Sequence, residues 1–252
     1  METQPLISVI MPCYNMERFI CESIRSVMQQ SYENWEMLIV DDASVDRTAE
    51  CIQDLCRQDN RIRFEVKAKH SGIADSRNRC IAMAQGRYYA FLDADDIWYP
   101  NKLEQQLDFM TEKNIGFCYS SYNCIDETGN DLGKTIKAAH NLDYEAYLRN
   151  TIIGCSTVMV DTTIVGPITV PSFRTSEDTA TWLNLLKKGF IAYAIAQPLA
   201  SYRIRQQSAS SNKLKAALDL WRVYSQQEKL PLLKAIECFS SYAFNAIKKH
   251  LR

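Results

Sequence analysis

Short, wholly apolar runs that break off at clustered acidic residues constrain this chain more than any other feature. EMLIV at 36–40 runs into Asp41 and Asp42, and YYAFL at 88–92 runs into Asp93, Asp95 and Asp96. A run without polar alternation marks a strand buried on both faces, as in parallel sheets covered by helices. LISVIMP at 6–12 reads as a third such strand, and residues 61–67 as a short fourth. The stretches between them carry helical spacing. Phe19, Ile20, Ile24, Val27 and Met28 share one face of a helix over 17–30. Ala49, Ile52, Leu55 and Cys56 do so over 46–57, with Ser44 as the expected cap. A third helix is expected over 72–85, closed by Gly86. The resulting β-α-β-α-β-α-β order predicts an α/β fold with a doubly wound, mainly parallel sheet. Ligands of such sheets sit at the carboxyl ends of the strands.

After about residue 100 the pattern loosens. A helix is expected over 100–113, strands over 115–122 and 155–160, and a polar loop over 123–141. A helix over 176–188 ends at Gly189, a strand follows at 190–196, and helices over 212–227 and 231–250 close the chain. No linker interrupts the sequence, so the two halves are expected to form one unit.

Composition excludes several partners. With 29 Lys plus Arg against 30 Asp plus Glu, the chain has no overall pull toward nucleic acid, and an anionic ligand needs a local site. Nine cysteines include no C-x-x-C pair, which argues against a zinc ribbon. Their odd number and the absence of a basic n-region before the first apolar run point to free thiols in a reducing, cytoplasmic setting. No apolar run approaches the ~18 residues of a membrane span. Contact with a membrane would therefore be peripheral.

The acidic clusters carry the chemistry. Carboxylates at the ends of neighbouring parallel strands converge on one crevice, where they repel each other unless a cation neutralises them. Mg²⁺ or Mn²⁺ does this while bridging to substrate phosphates. Taken singly, Asp41 or Asp96 reads equally well as a cap of the following helix.

SVIMPCYN (8–15), LIVDDASVDRT (38–48), GIADSRNRCIAMAQGRYYAFLDADD (72–96), LDADDIWYPNKLEQQL (92–107) and TSEDTATWLNLLKKG (175–189) together resemble the family 2 glycosyltransferases with a GT-A fold. Among them, the chain looks most like bacterial enzymes that build O-antigen, capsule or teichuronic-type polysaccharides. The resemblance implies a catalytic domain over 1–212 and a helical extension over 213–252. Within that domain, a nucleotide-sugar half (about 1–100) would precede an acceptor half (about 101–212). It implies that Pro12, Tyr14 and Asn15 frame the nucleotide base, and that Asp42 accepts from uracil N3–H. Asp93 would lie near the ribose, and Asp95 would reach Mn²⁺ or Mg²⁺ on the diphosphate. Arg77 and Asn78 match the family's A-R-N segment, where the guanidinium would brace the diphosphate or tie down the acidic crevice. Asp178 of the E-D pair would be the catalytic base and Glu177 its support, although an acidic first turn of a helix is a simpler reading of both.

One departure stands out. ASYRIRQQSASSNK (200–213) resembles a segment often written Y-R-x-H, and Arg205 occupies the histidine position. Arginine cannot ligate a metal, so Arg203 and Arg205 would neutralise the diphosphate directly, with the serines at 208–211 forming a lid. The tail from 213 holds eight Lys or Arg and three Asp or Glu, with Leu233, Ile236, Phe239, Ala243, Phe244, Ile247 and Leu251 at helical spacing. Such a helix either packs on the domain or lies on an anionic membrane. The expectation is an inverting, metal-dependent transferase of a hexose or N-acetylhexosamine from a UDP-sugar. Its acceptor would be a saccharide on a polyprenyl diphosphate, at the inner face of the cell membrane. The alternatives are a sugar-nucleotide pyrophosphorylase, disfavoured because PCYNMERF lacks glycine, and a degenerate nucleotide-sugar-binding domain.

Overall fold

The computed structural model describes residues 4–138, 140–206 and 213–251. Its first half alternates β1 (Ile7–Cys13), α1 (Ile20–Met28), β2 (Trp35–Asp41), α2 (Thr48–Cys56), β3 (Ile62–Val66), α3 (Ile73–Met83) and β4 (Tyr88–Phe91). Every residue of β1 and β2 is buried, as their unbroken apolar runs require. The four strands lie in the order β3-β2-β1-β4 and pair in parallel. The β1–β2 register ends at Cys13 opposite Asp41, so the loops after both strands open at the same sheet edge. Pairing of β1 with β4 stops at Ile10, opposite Phe91. Pro12, which has no N–H to give, lies beyond that ladder and faces only β2.

The second half comprises β5 (Ile97–Trp98), α4 (Lys102–Lys113), β6 (Phe117–Ile125), β7 (Asp131–Ile136), α5 (Tyr144–Arg149), β8 (Met159–Asp161), α6 (Thr162–Val165), α7 (Glu177–Lys187), β9 (Tyr193–Arg203), α8 (Lys213–Arg222) and α9 (Leu232–Leu251). The sheet continues from β4 through β8, β6 and β9 to β5, with β7 on β6. β8 runs antiparallel to β4 and β6, whereas β6 and β9 are parallel. The alternate side chains of the strands build two cores. Val9, Met11, Met37 and Ile39 meet α1 and α2, while Ile10, Leu38 and Val40 face the side of α3, α5 and α7. Trp182 of α7 seals the second core edge-on to Phe91, with ring centroids 5.0 Å apart.

Several sequence expectations are corrected. Ser44 does not cap α2. Its hydroxyl bonds to the Asp41 carboxylate and accepts from the Asn15 N–H, while Asp46 receives the Thr48 N–H. Gly86 is not a helix terminator, since α3 ends on extended Ala84. Glycine is needed there because a Cβ would lie 2.6 Å from the Leu6 carbonyl and 2.7 Å from Ser8 Oγ. The polar stretch 123–141 is not a loop. β6 extends through Ile125 and pairs with β7, whose mostly exposed residues hid it from an apolar search. The last strand runs to Arg203 along β6 rather than ending at 196. The helix expected over 212–227 changes to a π-helical turn at Val223–Gln227. The serines at 208–211, expected to form a lid, lie outside the described residues.

The C-terminal helices divide their apolar residues. Ala235 and Cys238 are buried, and Phe239 meets Trp221 edge-on at 5.6 Å. Leu214, Leu218, Leu232, Leu233, Ile236 and Phe244 are exposed.

Candidate active site

Strand ends and the loops after them bring the acidic residues together. On the donor side, Asn15 adopts a left-handed conformation with φ of 52°. Its side-chain oxygen accepts from Val45 N at 3.0 Å, so it ties the β1 loop to the β2 loop. Asp41 is buried and held by Ser44, which makes it structural. Asp42 is also buried and has four partners. Oδ1 meets Lys67 Nζ at 2.7 Å and Ser71 N at 3.0 Å, while Oδ2 meets Gly72 N at 2.7 Å and His70 Nδ1 at 2.8 Å. These fill the acceptor positions of a carboxylate. Burial pushes its pKa up, but the Lys67 ammonium and the two backbone N–H groups outweigh burial and hold it below the usual range. His70 also stacks on Tyr14, with centroids 4.3 Å apart, so an exposed imidazole covers the expected base platform.

The loop after β4 carries the remaining acids. Asp93 N and Asp96 Oδ2 both meet Ser156 Oγ, at 3.0 and 2.5 Å, and Asp96 Oδ1 accepts from Arg203 N at 2.9 Å. Buried Asp96 is pushed well up by burial and by the charges of Asp95 and Asp93. Asp95 is half-buried, and its Oδ2 lies 2.5 Å from Arg205 Nε. Burial raises the Asp95 pKa, the guanidinium opposes this, and Asp93 adds to it.

Arg77 joins the two sides of the crevice. From α3 it donates to Asp93 Oδ1 at 2.7 Å and to Glu177 Oε1 at 2.8 Å, with its side chain only 2% exposed. It ties down the acidic crevice, one of the two roles its motif suggested. Asn78 is spent on a double hydrogen bond to the Val170 backbone, at 2.9 and 2.8 Å. Arg203 is buried and engaged with Asp95 O at 2.8 Å, Glu22 Oε2 at 2.6 Å and the carbonyls of Asp126 and Glu127.

Glu177 and Asp178 open α7. Glu177 is buried, and burial raises its pKa against the pull of Arg77. Asp178 is half-buried and accepts from Thr179 N at 2.6 Å. Burial first, then the Glu177 charge, lift it to about 7 against the opposing Arg77. A carboxyl so placed is a base at neutral pH, when about half its population is ionised.

Sequence reasoning missed Lys67 and Ser156. Nothing local marks Lys67 or Ser156 in the sequence, because their partners stand 25 and 60 or more residues away. Asp95 and Asp93 offer hard oxygen donors of the kind Mg²⁺ and Mn²⁺ take. Among the described residues no group of three or more ligating side chains forms a complete cage. The residues fit an ion whose shell is completed by substrate phosphates.

Comparisons with known proteins identify the family and the fold. The chain is 48% identical over 248 residues to the putative teichuronic acid biosynthesis glycosyltransferase TuaG of Bacillus subtilis, covering 98% of each. It is 39% identical over 246 residues to WfgD of Escherichia coli, a UDP-Glc:alpha-D-GlcNAc-diphosphoundecaprenol beta-1,3-glucosyltransferase, covering 97% of this chain and 95% of the relative. Among solved structures, the mannosyltransferase PcManGT of Pyrobaculum calidifontis, in complex with GDP-Man and Mn²⁺, superposes with a TM-score of 0.70. That match has 16% identity and covers 94% of this chain and 70% of the other. It supports the GT-A fold. The sequence profile of glycosyl transferase family 2 matches residues 8–166. With that match and two relatives aligned over nearly their whole length, the chain belongs to glycosyl transferase family 2.

Proposed function

We propose that the protein transfers a hexose or N-acetylhexosamine, with inversion, from a UDP-sugar to a hydroxyl of a saccharide carried on a polyprenyl diphosphate. The carrying observation is Asp178: half-buried, pKa lifted to about 7, and linked through Glu177 and Arg77 to Asp93 on the donor side. A base held in register with the donor is what a single displacement needs. The acceptor oxygen bonds to the anomeric carbon while its proton passes to an Asp178 oxygen. The bond from that carbon to the diphosphate oxygen breaks, and UDP departs with the electron pair. Glu177 keeps Asp178 basic and holds Arg77. On the donor side, uracil stacks on Tyr14 in the place of the His70 ring and takes over its position on Asp42. Asn15 and Asn78 hold the loops around the donor, and Arg203 holds Asp95 and Asp96. Asp95, with Asp93 beside it, would hold Mn²⁺ or Mg²⁺. Such an ion neutralises the charge that develops on the departing diphosphate.

A lipid-linked acceptor and the tail fit each other. No helix among the described residues is long and apolar enough to cross a membrane. Leu214, Leu218, Leu232, Leu233, Ile236 and Phe244 nevertheless face outward in a tail rich in lysine and arginine. An anionic membrane surface complements both properties, so the tail docks the enzyme where its substrate lies.

The test is Asp178→Asn. Turnover, followed as UDP release with a GlcNAc-diphosphate-lipid acceptor, should fall about 10²–10⁴-fold. UDP-sugar affinity by calorimetry should stay within a few-fold of the parent. Undiminished turnover would remove Asp178 from the role of base.

A further inference from the structure

Two arginines follow each other closely at the end of β9, and they are held differently. Arg203 is consumed on every side, with Nε on a carbonyl, one amino group on two carbonyls and the other on Glu22. Arg205 is tied lightly. Among the described residues its guanidinium binds Asp95 through Nε alone and rests on the ring of Phe19, 5.3 Å from the centroid. The terminal amino fork, the end of an arginine that grips phosphate in a two-pronged manner, is not used in that bond. Asp95 is the carboxylate expected to face the metal, and Asp93 beside it is already committed to Arg77. A guanidinium therefore stands against the carboxylate that a divalent ion needs, with 13% of its side chain exposed and 15% of its partner's.

We propose that Arg205 is the resident counter-cation of Asp95 in the donor-free enzyme, and that it yields this carboxylate to the divalent ion arriving with the nucleoside diphosphate. Its freed fork then turns onto the diphosphate. Without a donor, the pair keeps Asp95 from standing as a bare charge beside Asp93 and Asp96. With the donor, two positive charges replace one at the carboxylate, and the displaced arginine meets the two phosphates that came with the ion. Metal and nucleotide thus bind in a linked fashion, since each relieves a cost that the other would meet alone. An arginine at this position would thus help bind the donor without ligating the ion. The inference rests on the reading of Asp95 as the metal ligand.

The experiment titrates Mn²⁺ into the full-length protein and follows the free-ion signal by electron paramagnetic resonance, with and without UDP. Wild type, Arg205→Met, Arg205→Gln, Arg205→Lys and Asp95→Asn are compared, each checked by thermal melting. Without UDP, Arg205→Met and Arg205→Gln should bind Mn²⁺ at least tenfold more tightly than wild type, because Asp95 is released. Arg205→Lys, which restores a cation, should stay near wild type. With UDP, the gain in Mn²⁺ affinity should be large for wild type and at least tenfold smaller for Arg205→Met. If neither uncharged variant tightens Mn²⁺ binding, or if the tightening survives when Asp95→Asn is added, the exchange does not occur. A distinct result, wild type with UDP binding Mn²⁺ no better than Asp95→Asn, would overturn the assignment of Asp95 itself and the exchange with it.

Discussion

Replacing Arg77 with methionine removes the charge that joins the donor and acceptor sides of the crevice. Its two ion pairs are short, 2.7 Å to Asp93 and 2.8 Å to Glu177, and the guanidinium is 2% exposed. With charge centres about 4 Å apart, each attraction amounts to about 4 kcal/mol at an effective dielectric of ~20. Desolvation of the guanidinium offsets much of that, so the intact triad adds far less than the sum. Deleting the middle partner is another matter, because it strands buried Glu177 and half-buried Asp93. Such deletions cost about 3–5 kcal/mol. In a chain of this size that corresponds to a melting temperature roughly 6–20 °C lower. The loss also depends on pH. Without Arg77, buried Glu177 has its pKa pushed further above the ~4.3 of the unfolded chain. A carboxyl whose folded pKa is raised loses stability as pH climbs from the unfolded value through the folded one. The deficit should therefore be smallest near pH 5 and largest at pH 8. Urea unfolding of wild type, Arg77→Met and Arg77→Lys at pH 5, 6.5 and 8 measures this, with lysine, which reaches only one carboxylate, falling between the other two. A deficit under 1 kcal/mol at pH 8, or one that does not change with pH, would refute the reasoning.

Two further outcomes follow from the same geometry. Because Asp178 must be ionised to accept a proton and its pKa lies near 7, kcat/KM should rise with pH through about 7. Glu177→Gln should move that limb to lower pH by about one unit, since it removes a like charge; pH–rate profiles of both proteins decide this. Leu232→Glu combined with Leu233→Glu should reduce sedimentation with phosphatidylglycerol vesicles at least tenfold while leaving the melting temperature unchanged, because both side chains already face solvent. Undiminished vesicle binding would show that these leucines do not meet the membrane.

How much the sequence revealed depends on the range of the interactions involved. β1, β2 and β4 were legible because burial on both faces forces a local apolar run, and the acids at their ends were legible as interruptions of it. The β6–β7 pair was not, because β7 is mostly exposed and needs no apolar signature. Gly86 was noticed but misread: a glycine directly after the expected helix looks like a terminator, and only the tertiary approach of Leu6 and Ser8 gives its reason. The same limit governs the site. The sequence singles out Asp42, Asp95 and Arg205 as candidates, yet says nothing of the cations that meet the first two. Lys67 and His70 on Asp42, and Arg205 on Asp95, are contacts across 25, 28 and 110 residues.

Charge balance in the crevice explains why those cations are arranged as they are. Asp93, Asp95, Asp96, Glu177 and Asp178 crowd one place, and Asp93, Asp95 and Glu177 each raise the pKa of at least one of the others. Left alone, the group would take up protons until none was reliably basic or able to meet a metal. Arg77, fixed and buried, settles Asp93 and Glu177 permanently. Ser156 and the Arg203 backbone N–H both donate to Asp96, and so favour its ionised form against the burial that drives it toward the neutral one. Two carboxylates remain adjustable. Asp95 meets an arginine bound through a single nitrogen, and Asp178 meets no cation of its own among the described residues, only the Thr179 N–H. These are the two positions where the proposed reaction needs a change of state, one to exchange its cation and the other to gain a proton. A permanent ion pair at either would stabilise the resting crevice and stop the chemistry.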